Sequence, residues 1–375
     1  MIELMKKITF LILLAITSCS YEQNVIEGKD AIQLSFRLKT DRHNSDVLTM
    51  SQVYDSVRYI QLDDVRQTVL IGEVSELQLT NEYIYIYDRH SDAVYKYDYD
   101  GEFVQKYYHK GRGPGEYVTI TTFDIDRRNG NVLFYDVTRR MVIAYSDDNK
   151  FLYEYKIQKD VPRDFAVLNN GDHLFLTYDY MKGVRRGIWQ CDSLGVVKNE
   201  LVKIDESFKF SSGLFPSYFK RFGDVVCVRS SEDRDCIYHI SGDSISIPYK
   251  FNFDIDIPNR IKTSPTPEMT QQNRGKVYAI TEYFETKNWI LASATNLISN
   301  HMVFYNKSSN KQYYITSPES IIDDMPPTGH IMSTNEDYFV GVLSVDYILS
   351  YETLRQKFPL INETSNPIIS ISKSL

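Results

Sequence analysis

Cysteine, tryptophan and long apolar runs are scarce in this chain of 375 residues. Four cysteines are too few for a disulfide scaffold of this size. Lysine and arginine total 42 against 50 aspartate and glutamate, a net charge of -8, so the strongly basic surface that nucleic acid requires is excluded. Apolar and aromatic residues are abundant. Hydrophobic residues make up 42% of the chain and aromatic residues 13%, which excludes a disordered or collagen-like chain.

The N-terminus has the pattern of an export signal. Lys6 and Lys7 precede an apolar run from Ile8 to Ile16, which is too short to span a bilayer. The following residues, Thr17-Ser18-Cys19, complete a segment that resembles the lipobox of bacterial lipoproteins. The resemblance implies a signal peptide at 1–18 and a diacylglycerol on Cys19, followed by a tether and N-terminal extension at 19–52. We therefore expect an envelope protein on a lipid anchor, facing the periplasm or the cell surface.

Three cysteines remain after Cys19, namely Cys191, Cys227 and Cys236. Cys227 and Cys236 flank a predicted turn, so a disulfide between adjacent strands is one alternative, and two buried thiols are the favoured one. The spacing fits no zinc motif. The sequence thus predicts no metal site at these cysteines.

Short alternating runs of Tyr, Val, Ile and Phe recur along almost the whole chain, separated by Asp, Asn, Gly and Ser. Such runs are typical of β-strands. Tyr87-Asp88 and Tyr135-Asp136 lie 48 residues apart in two units of four strands each, a spacing typical of propeller blades. Six units fit residues 53–375, and the last lacks one strand. The sequence predicts an all-β, six-bladed β-propeller, in which the upstream strand 57–62 joins the C-terminal blade and closes the ring.

Two sequence motifs resemble those of known β-propeller families. The order strand, turn, Tyr-Ile-Tyr-Asp, strand, Asp-x-x-Gly-x-Phe is similar to NHL-type repeats. Residues 110–117, Lys-Gly-Arg-Gly-Pro-Gly-Glu-Tyr, resemble the glycine-rich signature of a family of bacterial six-bladed β-propeller lipoproteins, and residues 365–369 resemble its closing strand. The resemblance implies fold and envelope location, and it implies no particular activity.

Positive charges cluster on one predicted face of the propeller. Strand alternation places the loops between blades and the loops between second and third strands on the same face, and long loops on a rigid scaffold commonly carry binding residues. The candidate ligand-binding residues there, all from the first three blades, are Arg89, His90, Lys110, Arg112, Glu116, Arg139, Arg140, Arg185 and Arg186. Because the arginine fork donates two parallel hydrogen bonds, an acidic glycan or an acidic patch on an envelope protein is the expected partner. The alternative is that turns simply collect charged residues, and that the glycine-rich loop is a structural corner.

Signatures of catalysis are weak in this sequence. No His-Glu-x-x-His or Gly-x-Ser-x-Gly motif is present, and the histidines are scattered. Asp124 and Asp126 lie on one side of a predicted innermost strand, which leaves open a Ca²⁺ site, although no cofactor is predicted. The sequence therefore favours a binding or scaffolding protein over an enzyme. The alternatives are an NHL-like metal-assisted lyase or hydrolase in the central channel, and an accessory or sensor subunit of a nutrient-uptake system.

Overall fold

A computed structural model of the chain describes residues 30–36, 47–63, 69–177, 184–203, 219–229, 236–253, 279–295, 300–315 and 321–375. They form six sheets, each with four antiparallel strands in an up-and-down order, and in five of these sheets the four strands are consecutive in the chain. The first strands of successive sheets contact one another, and the first strand of the sixth sheet contacts that of the first. The sheets are therefore the blades of a closed six-bladed β-propeller, as the sequence predicts.

The first three blades follow the predicted repeats closely. Strand bounds in blade 1 are Val74–Leu79, Tyr83–Asp88, Ala93–Asp98 and Phe103–Tyr107. Those in blade 2 are Thr122–Asp126, Asn131–Asp136, Met141–Tyr145 and Phe151–Lys156. Those in blade 3 are Pro162–Val167, His173–Thr177, Gly187–Cys191 and Val197–Lys203.

The remaining blades have the same strand order. Strand bounds in blade 4 are Phe219–Phe222, Val225–Arg229, Cys236–Ser241 and Ser244–Phe253. Those in blade 5 are Ala279–Glu285, Trp289–Thr295, Asn300–Asn306 and Lys311–Ile315. Those in blade 6 are His330–Thr334, Tyr338–Leu343, Ile368–Ser374 and, from the N-terminal side, Tyr54–Gln61.

The ring is closed by a strand that lies upstream of blade 1 in the chain. Tyr54–Gln61 pairs antiparallel with Ile368–Ser374, with Ile60 opposite Ile369 and Tyr59 opposite Ser370. Pairing of the two chain ends within one blade removes a sheet edge that would otherwise be open. The predicted closure is thus confirmed.

Part of the segment predicted as a tether belongs to the folded body. Ile32–Phe36 pairs parallel with the outer strand of blade 4 and makes that blade five-stranded. Leu34 and Phe36 are buried there against the cluster between blades 4 and 5. Leu48–Thr49 pairs with Ile321–Ile322 in a small parallel ladder. The apolar alternation of Leu34 and Phe36 drives this addition because it buries both side chains.

Each pair of neighbouring blades shares its own apolar cluster. Side chains of a strand point alternately to its two faces, so Tyr85 and Tyr87 pack toward blade 2 while Ile84 and Ile86 pack toward blade 6. The tyrosine-rich strands of blade 1 therefore serve packing.

Two short helices interrupt blade 6. The helices are Val345–Ser350 and Glu352–Lys357, and they are separate because Tyr351 between them has an extended backbone. Ser344 caps the first helix by accepting from Tyr347 N. None of the helices in the described part of the chain combines the length and apolar character needed to cross a bilayer.

Candidate functional site

The glycine-rich loop at 110–117 is tied together by its own residues. Gly113 N donates to Glu116 Oε2 at 2.7 Å, and Gly115 N donates to Glu154 at 3.1 Å. Arg139 donates to the carbonyl oxygens of Gly113 and Glu116. Glu116 and Arg139 thus act on the loop backbone, which supports the structural-corner interpretation of this motif.

Several other predicted rim cations have acidic partners. Lys110 Nζ lies 3.0 Å from Asp92, and Arg89 lies 4.0 Å from Glu73. Arg185 contacts Asp160 at 2.6 Å and Glu200 at 3.2 Å, and its guanidinium stacks over the Trp189 ring. His90 and Arg112 are exposed, and Arg140 and Arg186 are half-buried. The structure therefore brings Lys110, Glu116 and Arg139 together at one loop, and much of the predicted positive charge is balanced locally.

A large cavity opens on the opposite face of the propeller. Its volume is about 710 Å³, within the range of small-molecule sites. It is lined by the turns between first and second strands of blades 1, 2, 4 and 6, at residues 80–83, 127–130, 223–224 and 334–337. Because antiparallel strands alternate in direction, these turns lie at the end of the channel opposite to the predicted rim.

Two arginines form the floor of this cavity. Arg221 lies in the first strand of blade 4, and Arg127 directly follows the first strand of blade 2. Both contact one carboxylate: Asp124 lies 2.5 Å from Arg221 Nη2 and 3.4 Å from Arg127 Nη1. Arg221 is 9% exposed, and among the described residues no group forms a hydrogen bond with its Nη1. The floor thus carries two positive charges and one negative charge.

Electrostatics at this floor follow from burial and from the arginine pair. Burial lowers the pKa of Arg127 to about 10, and the neighbouring charge of Arg221 acts in the same direction. The two guanidinium groups lower the pKa of Asp124, overcoming the opposite effect of its burial. Asp124 is therefore ionised, and Asp126 is likewise held by Arg128 at 2.7 Å. The arginines place positive charge beside both Asp124 and Asp126. This charge disfavours the binding of Ca²⁺ at these two carboxylates, which the sequence left open.

The rim above the floor is acidic. Glu82, Asp224, Glu336 and Asp337 line it and are exposed. Asp147 also lines the wall, but its charge is balanced by the buried Lys96 at 2.5 Å, whose Nζ also lies 3.8 Å from the centre of the Tyr83 ring. The cavity is thus dipolar, with a cationic floor, an anionic rim and an aromatic wall at Tyr83 and Tyr85.

On the inner strands, the hydroxyl group of Thr122 lies between two carboxyl groups, those of Glu76 and Asp164. Thr122 Oγ1 lies 3.1 Å from Glu76 Oε2 and 3.0 Å from Asp164 Oδ1. Burial, aided by Asp164, raises the pKa of Glu76 to about 8. Lys220 donates to the carbonyl of Met332 at 3.2 Å, and burial lowers its pKa. These contacts join the inner strands of blades 1, 2 and 3 to one another, and the inner strand of blade 4 to that of blade 6.

The arginine floor is the feature that sequence reasoning missed. Arg127 lies in a turn that the sequence predicts, but Arg221 lies 94 positions away, and only closure of the ring brings them to one carboxylate. Of the other predicted residues, Cys19 lies outside the described residues. Cys191, Cys227 and Cys236 are buried and form no disulfide among the described residues, in agreement with the favoured interpretation of Cys227 and Cys236 as buried thiols. Cys227 and Cys236 pack into different clusters on the two faces of blade 4, which prevents a disulfide.

Comparisons with known proteins support the fold. A Bacteroides fragilis protein provisionally classed as exported has 19% identity and a TM-score of 0.72, covering 92% of this chain and 99% of that chain. A member of the DUF4221 family from Bacteroides vulgatus has 9% identity and a TM-score of 0.51, covering 86% and 97%. A virginiamycin B lyase from Staphylococcus aureus has 13% identity and a TM-score of 0.41, covering 76% and 81%.

None of the curated proteins compared with the chain matches it in sequence. One family model does, and it spans most of the propeller together with the strand that extends blade 4. The chain belongs to the family described as Domain of unknown function (DUF4934), whose model matches residues 34–373.

Proposed function

We propose that this chain is a lipid-anchored protein of the cell envelope that binds an acidic sugar, free or at the end of a glycan, in the cavity at the channel mouth. The observation that carries the proposal is the pair of guanidinium groups, Arg127 and Arg221, which share one carboxylate in the floor of a cavity of about 710 Å³. A carboxylate bound there compensates the excess positive charge, which Asp124 alone does not.

The acidic rim defines the rest of the ligand. Glu82, Asp224, Glu336 and Asp337 repel a second anionic group, and ionised carboxylates accept hydrogen bonds from hydroxyl groups. Tyr83 offers an aromatic face beside them. A compact ligand with one carboxylate and several hydroxyl groups fits this distribution, and a uronic acid has that chemistry.

The envelope location rests on sequence. Residues 16–19 have the lipobox pattern, and a structural relative of the same fold is provisionally classed as exported. Export would place the binding face of the protein where extracellular polysaccharide fragments arrive. If the lipid is attached at Cys19, a Cys19→Ala variant is recovered in the soluble fraction, and its recovery with the membranes would contradict the anchor.

The binding test uses the full-length protein in detergent. Calorimetric titration with galacturonate and glucuronate, against galactose and glucose, is expected to show binding of at least one acid and a roughly 10-fold or greater preference over the neutral sugar, because hydrogen bonds to charged groups are the strong ones. The absence of binding to both acids would reject the ligand proposal.

Paired variants locate the site. Arg127→Gln leaves the Arg221–Asp124 pair intact and is expected to weaken acid binding by roughly 10-fold or more. Arg140→Gln, on the opposite face, is the matched control and leaves binding unchanged. The reverse result would move the site to the rim of blades 1–3, where the sequence analysis placed it.

A further inference from the structure

A second cluster, which shares no residue with the arginine floor, lies between blades 4 and 5. Cys227 and His239 stand opposite each other on adjacent strands of blade 4. Glu285, the last residue of the first strand of blade 5, extends toward both. Its Oε2 lies 2.8 Å from His239 Nε2 and 3.8 Å from Cys227 Sγ, and the three donor atoms all lie within 4.8 Å of one another.

From this geometry we propose that Cys227, His239 and Glu285 bind a Zn²⁺ ion, which joins blade 4 to blade 5. A thiolate, an imidazole nitrogen and a carboxylate are the three ligand types that zinc takes in proteins, with bonds of roughly 2.0–2.3 Å and therefore ligand separations of about 3.3–3.8 Å. The observed separations require shifts of only about an ångström or less to reach these values. A fourth position is left for water.

The carboxylate is already oriented for this role. Lys307 Nζ lies 2.6 Å from Glu285 Oε1, and Tyr249 OH donates to the same oxygen at 3.4 Å. Both contacts leave Oε2 directed toward the thiol and the imidazole. Hydrogen bonds to the far side of a ligating carboxylate are a common outer-shell arrangement. Glu285 is 2% exposed, so its orientation is well defined by packing.

Metal access and charge are compatible with the site. The His239 side chain is 14% exposed, which gives the ion a route from solvent, while Cys227 is fully enclosed. On binding, Zn²⁺ replaces the thiol proton of Cys227, which is released to solvent, and Tyr283 OH gives up its 2.5 Å contact to Oε2. The ionised carboxylate and the new thiolate together balance the charge of the metal, and Lys307 adds one positive charge at the far oxygen.

The competing explanation is a structural cluster without metal, in which Lys307 and His239 are the partners of Glu285. The two explanations differ in what Zn²⁺ does. The proposal is independent of sugar binding, because the cluster lies between blades 4 and 5 and shares no residue with the arginine floor.

The experiment measures metal content and Zn²⁺ affinity of the full-length protein. One Zn²⁺ per chain is expected, with loss or a roughly 100-fold or greater weakening in Cys227→Ser and His239→Gln. Cys236→Ser removes another buried thiol of blade 4 outside the cluster and is expected to keep the metal. Co²⁺ is expected to give a thiolate charge-transfer band in the wild type that is absent from Cys227→Ser. A wild type that binds no Zn²⁺, or a Cys227→Ser variant that binds it equally, overturns the proposal.

Lys307→Met distinguishes the two explanations even if the ligand variants fold poorly. Removal of the ammonium leaves Glu285 buried without its main counter-charge, so the variant is expected to melt at a lower temperature without metal. If the site binds zinc, added Zn²⁺ restores much of that loss and binds more tightly than in the wild type. Under the explanation without metal, Zn²⁺ has no effect on the melting temperature of Lys307→Met, and that result also overturns the proposal.

Discussion

Thr122 has one hydroxyl proton and two carboxyl neighbours, Glu76 and Asp164. It can donate to only one of them, so the other contact requires a proton on a carboxyl group. Asp164 also accepts from Phe165 N at 2.9 Å and from Phe219 N at 3.0 Å, which stabilises its ionised form. The proton therefore resides on Glu76, in agreement with a pKa raised to about 8 by burial and by the charge of Asp164.

This assignment predicts a pH dependence of stability. Because the pKa of Glu76 is higher in the folded protein than in the unfolded chain, the folded state holds more protons between about pH 4.5 and pH 8. The Glu76 contribution to the free energy of unfolding is fully present below that window and is lost as the pH rises through it. In Glu76→Gln, which keeps a hydrogen-bonding group in place, the melting temperature should decline less between pH 5 and pH 9 than in the wild type.

The control for this measurement is Glu73→Gln, which removes an exposed carboxylate near the start of the same strand. Its melting curve should follow the wild-type pH dependence. If Glu76→Gln and the wild type lose stability in parallel, the proton lies elsewhere in the channel.

At the scale of elements, the connection between blades 1 and 2 shows how a motif can be structural. Gly115 has a φ of 68°, and a Cβ added there would lie 2.7 Å from the Phe151 ring. Its carbonyl accepts from Tyr145 OH at 2.6 Å. Glycine is therefore required at this position by backbone conformation and by the neighbouring blade. The same loop was a candidate anion cradle in the sequence, and the backbone donors of Gly113 and Gly115 are bound instead by Glu116 and Glu154.

Gly115→Ala is expected to destabilise the propeller by about 1–2 kcal/mol from the left-handed backbone alone, with a further loss from the contact with Phe151. Chemical denaturation checks this value. Gly113→Ala is the matched variant two residues away, where an added Cβ meets only the flexible end of Glu116, at 3.1 Å. Gly113→Ala should lower the free energy of unfolding by clearly less than Gly115→Ala does. Equal losses in the two variants would show that the whole loop tolerates no added side chain.

At the scale of the whole molecule, the sequence predicts what alternation and turn chemistry determine locally. The strands of blades 1 and 2 are confirmed because each rests on a pattern within a few dozen residues, and the closing pair near Tyr59 and Ile369 is confirmed because the last repeat lacks one strand. Local patterns of this kind do not predict contacts between distant blades. The convergence of Arg127 and Arg221 on Asp124, and of Glu285 on Cys227 and His239, depends on the curvature of the closed ring.

Ring closure also governs how stability is shared among blades. In an open array of repeats, each unit contacts its neighbours alone, and damage at one end leaves distant units intact. Here blade 6 contacts blades 5 and 1, and it combines three strands from the C-terminal end of the chain with one from the N-terminal side. Local damage to blade 6 therefore weakens both of its interfaces and opens the ring, which should couple the unfolding of all the blades.

The two tryptophans report on this coupling, because Trp189 lies in blade 3 and Trp289 in blade 5. Ile369→Ala in blade 6 truncates a fully buried side chain and should cost about 2–5 kcal/mol. Introduced into Trp289→Phe and, separately, into Trp189→Phe, it should lower the fluorescence-monitored denaturation midpoint by the same amount in both backgrounds. A closed ring transmits the loss to blade 3, the blade farthest from the substitution. An open array would shift the Trp289 transition in blade 5 and leave the Trp189 transition in blade 3 almost unchanged.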